Sequence, residues 1–358
     1  MRSAFRVGFG LTALLLAAAC TCPSATPSAT PEPPTEPPAV VPTEVPPPTP
    51  EPTEPPAPLW IAFIGQDEHL CLIRQNGEGQ TCPTASGWDS SPAWSPDGQT
   101  LAYIHREDSP PAPGQVMLYD LASGASSPLP LEITEEWILG TLGNLAWAPD
   151  GQHLLIDYGT GNVRGVIVVA IPSGQTVQEM SVIGNAYWSP DGKRLASSQR
   201  QPLEVKHPDE IGDALSLAVW EIGQTEPSIV IEGTYEISYS PQAWLPDGRI
   251  LYYLWEWNTA DDMPGESSLW TINPDAAGAP QPAEDIPLGF DPDAMKAELP
   301  EEFQADAWRL SLSSDGRWLV FQWGSWPDTG IYLLDRVEGG EPHLLVSGID
   351  PAWQPVAD

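Results

Sequence analysis

The sequence predicts an all-β chain: a six-bladed β-propeller of four-stranded antiparallel blades. Three observations carry that prediction. A tryptophan followed by a tight-turn signal keeps returning: AWSPDG from Ala93, AWAPDG from Ala146, YWSPDG from Tyr187 and AWLPDG from Ala243, with a worn LSLSSDG from Leu310. Between the copies lie short apolar runs bounded by Gly, Pro and Asp, the pattern of strands joined by turns. A fragment, AWQP from Ala352, supplies one first strand, while LWIAFIG from Leu59 starts directly at a second strand.

Taken in chain order, residues 1–19 read as an export signal. Arg2 and Arg6 precede Val7–Ala19, thirteen mostly apolar residues that are too few to span a bilayer. Ala17-Ala18-Ala19-Cys20 resembles the bacterial lipobox, although Leu16 stands one place earlier than that pattern usually has it. The resemblance implies lipidation of Cys20 and a protein anchored to the bacterial cell membrane or outer membrane, facing the periplasm or exterior. Cleavage after A-x-A would instead leave Cys20 a free thiol, which an oxidising compartment disfavours. Cys22 has no evident partner. Residues 20–58 form a tether, with 16 prolines among the 36 residues from Pro23 to Pro58 and no aromatic. Such a segment buries no core and extends at about 3.1 Å per residue, a reach on the order of 100 Å.

Residues 59–358 form the propeller. Aligned on the tryptophan, the copies fall at Trp94, Trp147, Trp188, Trp244, Leu312 and Trp353, at intervals of 53, 41, 56, 68 and 41 residues. No interval is twice the shortest, so no whole unit hides between copies. Each copy leads into a second strand (TLAYI, HLLID, RLASS, RILYYL, RWLVF), then a third (VMLYDL, VIVVAI, LAVWEI, LWTIN, IYLLD) and a weaker fourth. Units of this kind are propeller blades. The first and last fragments complete a sixth blade, so the ring closes by pairing the C-terminal strand with N-terminal ones and leaves no open sheet edge.

The repeated unit resembles the WD40-like (PD40) repeat of TolB-like propellers, most closely over Ala93–Ile104, Ala146–Ile156, Tyr187–Ala196 and Ala243–Tyr253. The resemblance extends from Leu59 to Trp353. It implies the fold and leaves the function open. Asp97, Gly98, Asp150, Gly151, Asp191, Gly192, Asp247, Gly248, Asp315 and Gly316 read as turn residues. Pro presets the first corner, Asp bonds its own backbone, and Gly takes the positive φ that closes the hairpin.

Cys71 and Cys82 flank a hairpin with an Asn76-Gly77 turn signal; a two-residue turn sets them opposite each other as a disulfide. His69, His105 and His207 are expected in loops between second and third strands. Some TolB-like lyases carry a His-rich metal site in the corresponding region, but the spacing here matches no metal motif and no metal is expected. The acidic ADDMPGES and DPD segments lack EF-hand spacing, so solvated loops are expected rather than Ca²⁺ sites, and no cofactor is assigned.

Function is expected on the face opposite the SPDG turns, where the long segments 105–115, 131–144, 199–214, 255–267, 282–308 and 323–330 gather. Pro292–Phe303 within them has helical character, interrupted by Pro300. Trp88, Trp137, Trp255, Trp257, Trp323 and Trp326 are the candidate binding residues there, either as platforms for a ligand or as lids packed on the blades. No G-x-S-x-G, P-loop or dinucleotide motif is present, so the expectation is a non-enzyme. With 49 acidic against 14 basic residues and a net charge of −35, nucleic acid is excluded as a partner. The expected function is that of a monomeric lipoprotein whose propeller binds a protein or peptide of the cell envelope. The alternative is a glycan-binding or metal-dependent lyase-type propeller.

Overall fold

The computed structural model describes residues 58–356 except 134, 161–162, 202–213, 235, 259–262, 277 and 326. The export signal, Cys20, Cys22 and most of the tether lie outside the described residues, as do His207 and Trp326. Six antiparallel sheets form the ring. Blade I holds Trp88–Trp94, Thr100–Arg106, Gln115–Asp120 and Ala125–Pro128, and blade II holds Leu142–Trp147, His153–Thr160, Val163–Ala170 and Thr176–Ser181. Blade III comprises Ile183–Trp188, Arg194–Gln201, Ala214–Glu221 and Ser228–Ile231; blade IV comprises Ile237–Trp244, Ile250–Asn258, Met263–Ile272 and Gln281–Pro282. Blade V contains Trp308–Leu312, Trp318–Trp323, Gly330–Asp335 and His343–Ser347. Blade VI is the composite: Ile349–Trp353 pairs with Trp60–Ile64, which pairs with Leu70–Arg74. It has three strands rather than the expected four, with a single Leu72–Thr81 bridge where the fourth would run.

The SPDG turns are built alike. In blade I the Gly98 N–H donates to the Ser95 carbonyl at 2.8 Å, and Gly98 takes φ 66°. Ser95 Oγ donates to Asp97 Oδ1 at 2.5 Å, and the Gln99 N–H donates to the same oxygen at 3.0 Å. Ser189-Asp191 and Ser313-Asp315 repeat this bond at 2.6 Å. Bonding to the serine hydroxyl, foremost, holds the Asp97, Asp191 and Asp315 carboxyls below the ordinary carboxylate range. The repeated aspartate therefore serves the turn.

The repeat tryptophans link neighbouring blades. Each indole N–H of Trp94, Trp147, Trp188 and Trp353 donates to a carbonyl of the preceding blade's first strand: Ala352, Ala93, Ala146 and Ser311, at 3.0–3.1 Å. Blade IV departs from this on both sides. The Trp244 indole donates to the Gly248 carbonyl in its own turn, and Leu312 has no indole N–H to give. Arg194 bridges the first gap, stacking 4.9 Å from the Trp244 ring and pairing both guanidinium nitrogens with Asp275 at 2.7 and 2.8 Å.

The second gap carries the helical insertion. Asp291 caps the helix Pro292–Ala297, accepting the Asp293 and Ala294 N–H groups, and Pro292 fits its first turn, where no N–H is needed. Pro300 separates it from a second turn, Glu301–Gln304. Met295 and Leu299 then pack on Leu319 and Phe321 of blade V.

Cys71 and Cys82 form a disulfide with Cα atoms 4.0 Å apart. The turn is not the two-residue one expected. The Arg74 N–H bonds the Glu78 carbonyl across a three-residue loop, and one extra residue on the return path restores the Leu72–Thr81 pairing. That extra residue brings the cysteines opposite each other.

Candidate functional site

The first strand of every blade faces the central channel, and each carries a bulge in its pairing with the second strand. A bulge re-aims side chains. Here the residues three before the repeat tryptophan position, Ser91, Asn144, Asn185, Arg309 and Asp350, all line a channel cavity of about 280 Å³. Ser91, Arg309 and Asp350 hold φ values of 55°, 53° and 54°, a left-handed conformation costing non-glycine residues roughly 1 kcal/mol or more. Three equivalent departures at one level of the ring indicate that the bulge geometry is imposed by the fold.

The ring is polar and internally bonded on one side. Arg309 Nε pairs with Asp350 Oδ1 at 3.1 Å, and both its terminal nitrogens reach Asn144 Oδ1 at 3.5 Å. Asn185 donates to the Tyr187 hydroxyl at 3.3 Å. Asp157, on the second strand of blade II, also lines the cavity and is buried. Its Oδ2 accepts a long 3.4 Å bond from Asn144, while its Oδ1 has no protein partner. Burial pushes its carboxyl up to about 6, opposed by the Asn144 bond and the charge of Arg164. Glu68 is also raised, by burial first and then by the charge of Asp350.

The predicted tryptophans divide. Trp88 opens the first strand of blade I and Trp137 sits in the short helix Glu136–Gly140 before blade II, so neither is in the irregular loop expected. Trp255 and Trp257 lie on the second strand of blade IV. Trp88, Trp137 and Trp255 are exposed. Trp323 corrects the reading of loop residues: it ends a strand of blade V and packs 5.0 Å from Phe303 and 5.6 Å from Tyr332, clamping the helical insertion. Trp308, not singled out from sequence, is 48% exposed at the head of blade V's first strand. Among the described residues the four exposed tryptophans (88, 137, 255 and 308) therefore stand at the end of the ring opposite the SPDG turns.

His105 lies on a strand, not in a loop, with Nδ1 2.7 Å from Asp89 Oδ1. Asp89 Oδ2 accepts from the Leu70 N–H at 2.9 Å and from the Thr84 hydroxyl, so this histidine belongs to a bracket between blades I and VI. No group of three metal-binding His, Cys, Asp or Glu side chains occurs among the described residues.

Sequence reasoning missed the channel ring. Its signal was available in the repeat alignment, where the place three before the tryptophan holds Ser, Asn, Asn, Pro, Arg and Asp in turn. Asp157 carried no such signal, because an acid near the end of HLLID looks like an ordinary strand end.

No protein-family model matches the chain, and no curated protein matches it by sequence. Solved structures do resemble it. The tricorn protease aligns with 84% of this chain and 34% of its own, at 11% identity and a TM-score of 0.53. TolB from Acinetobacter baumannii aligns over 83% of this chain and 67% of its own, at 16% identity and a TM-score of 0.46. The propeller domain of the Trilobed protease from Pyrococcus furiosus aligns over 78% and 74%, at 14% identity and a TM-score of 0.43. The likeness is one of fold, and the chain spans about a third of the tricorn protease. Among the described residues no helix is long and apolar enough to cross a membrane.

Proposed function

We propose that this chain is a non-catalytic binding module of the cell envelope, held by a lipid on Cys20 and engaging a protein or peptide through the channel end opposite the SPDG turns. The observation that carries this reading is the segregation of exposed aromatics. Trp88, Trp137, Trp255 and Trp308 all stand at one end of the ring, around a polar channel. Exposed tryptophans ringing a polar centre supply large apolar contact area at low entropic cost, the anatomy of an interface with anchors around a selective core. The opposite end offers short turns whose carboxylates are already bonded within the turn, three of them to their own serines.

Crosslinking in cells followed by recovery of the full-length chain tests this. Replacing Trp88, Trp137, Trp255 and Trp308 together by Ser is expected to abolish the crosslinked partner. Replacing the exposed Val337, in a turn at the other end, is expected to leave it. Equal recovery from both variants would sink the proposal. Tryptophan fluorescence that responds to acidic oligosaccharides, with no protein recovered, would favour the glycan-binding alternative.

A further inference from the structure

Resting on that reading, we infer that the channel is a receptor for a single cationic side chain of a peptide, with Asp157 as its counter-ion. The residues around the cavity are unevenly paired. Arg309, the one guanidinium among the described residues that line it, is already engaged by Asp350 and Asn144. Asp157 is 7% exposed, lines the cavity, and leaves Oδ1 without a protein partner. Removing a carboxylate from water without a full set of donors costs several kcal/mol, so an unneeded one is selected against.

The fold does not need an acid at this position. The first-strand tryptophans pair with Leu101 in blade I, Leu154 in blade II and Ile61 in blade VI. Counting three residues on from those partners gives Ile104, Asp157 and Ile64. Ile104 and Ile64 are fully buried hydrophobic residues. The same count gives Ser198, Tyr253 and Gln322 in blades III, IV and V, each hydrogen-bonded within the chain, so blade II alone carries an acid there, and that acid lines the cavity. The surroundings reinforce the sign. The charged residues that line the cavity, among those described, are Asp157, Asp350 and Arg309, and Arg309 is paired with Asp350, so the Asp157 carboxylate stands unmatched. Arg164, which also acts on Asp157, is exposed and its charge is screened by solvent.

The occupant is a charged group on a chain rather than a metal ion. The cavity of about 280 Å³ is several times the roughly 30 Å³ share of a water molecule, room for an aliphatic stem as well as an ammonium head. A hard cation such as Ca²⁺ takes about six to eight oxygens, and no cluster of three acidic, His or Cys side chains occurs among the described residues. An ammonium needs fewer acceptors, and the Asp157 carboxylate, the Asn185 amide oxygen and the Tyr187 hydroxyl belong to residues that line the cavity.

The test is calorimetric titration of the full chain at low salt with two blocked tripeptides, acetyl-Gly-Lys-Gly-amide and its norleucine counterpart. The lysine peptide is expected to bind about tenfold or more tightly, the scale of one charge-assisted hydrogen bond. Asp157→Asn, isosteric and folded by near-ultraviolet circular dichroism, is expected to erase that preference. Arg309→Gln is expected to strengthen lysine binding, since it frees Asp350. Equal affinity for the two peptides, no binding of the lysine peptide at millimolar concentration, or a lysine preference that survives Asp157→Asn would each overturn the inference. So would Ca²⁺ binding lost in Asp157→Asn without any lysine preference. If the tripeptides fail while the four-tryptophan variant still loses its crosslinked partner, the channel assignment falls and the binding-module reading stands. If both fail, both fall.

Discussion

Aspartate appears at both ends of this ring and behaves in opposite ways. At the turn end, Asp97, Asp191 and Asp315 each receive a serine hydroxyl and a backbone N–H, and their carboxyls are held below the ordinary range. In the channel, Asp157 has one long bond and burial, and its carboxyl rises to about 6. The difference teaches where to look for function in a repeat protein. A repeated acid that is fully bonded completes the backbone, whereas a single acid left short of donors is available to something else.

The largest expected effect breaks the comparison at the channel end. Asp157→Asn should stabilise the protein at pH 7 by about 3 kcal/mol, from a carboxyl raised from 3.8 to about 6. The raised folded value means that folding is not penalised below about pH 4, that the penalty grows as the carboxyl ionises between about 4 and 6, and that it is complete above. Urea unfolding at pH 4 and pH 7 checks this: the gain should be present at the higher pH and gone at the lower. A variant less stable than the parent at pH 7 would mean that the carboxylate is already satisfied.

A smaller effect lies between the two ends, in the first strands themselves. Trp147→Phe removes the indole donor to Ala93 and part of a packed ring, and should cost about 1–2 kcal/mol in the same unfolding experiment. Asp97→Ala at the turn end should cost about 1 kcal/mol at neutral pH. Because that carboxyl is depressed, its contribution is present above about pH 4, the unfolded value, and is lost as pH falls through the lower folded value. Comparing Asp97→Ala with Asp157→Asn across pH thus gives slopes of opposite sign. Trp137→Ser should change stability by no more than about 0.5 kcal/mol, because the side chain is half exposed, while still weakening partner recovery.

Much of the architecture was legible because propeller blades repeat their punctuation. Pro-Asp-Gly forces a hairpin wherever it stands, and Gly98, Gly151, Gly192, Gly248 and Gly316 all adopt the positive φ that the turn demands. Tryptophan proved a poorer guide. Trp88 and Trp323 occupy similar-looking stretches, yet one is exposed and the other is held beneath Phe303 of the insertion. Their environments depend on what packs over them, and that partner lies twenty residues away in sequence for Trp323. The insertion itself was readable as a helix broken at Pro300. Its place, at a junction where the indole link between blades is missing, was not.

The sequence by itself determined the number of blades, the turn chemistry and the way the two partial units complete each other, because these rest on local backbone preferences repeated in register. Only the tertiary structure decided which residues share the channel. Asn144, Asp157, Arg309 and Asp350 come from four strands in three blades, and their spacing in sequence follows the lengths of the loops between them. Bulges turn the side chains inward, and ring closure brings Arg309 and Asp350 to Asn144 while Asp157 keeps an unmet acceptor. Burial and pairing are properties of that closed ring, so the one carboxylate that matters most in the channel looks, in the sequence, like any other.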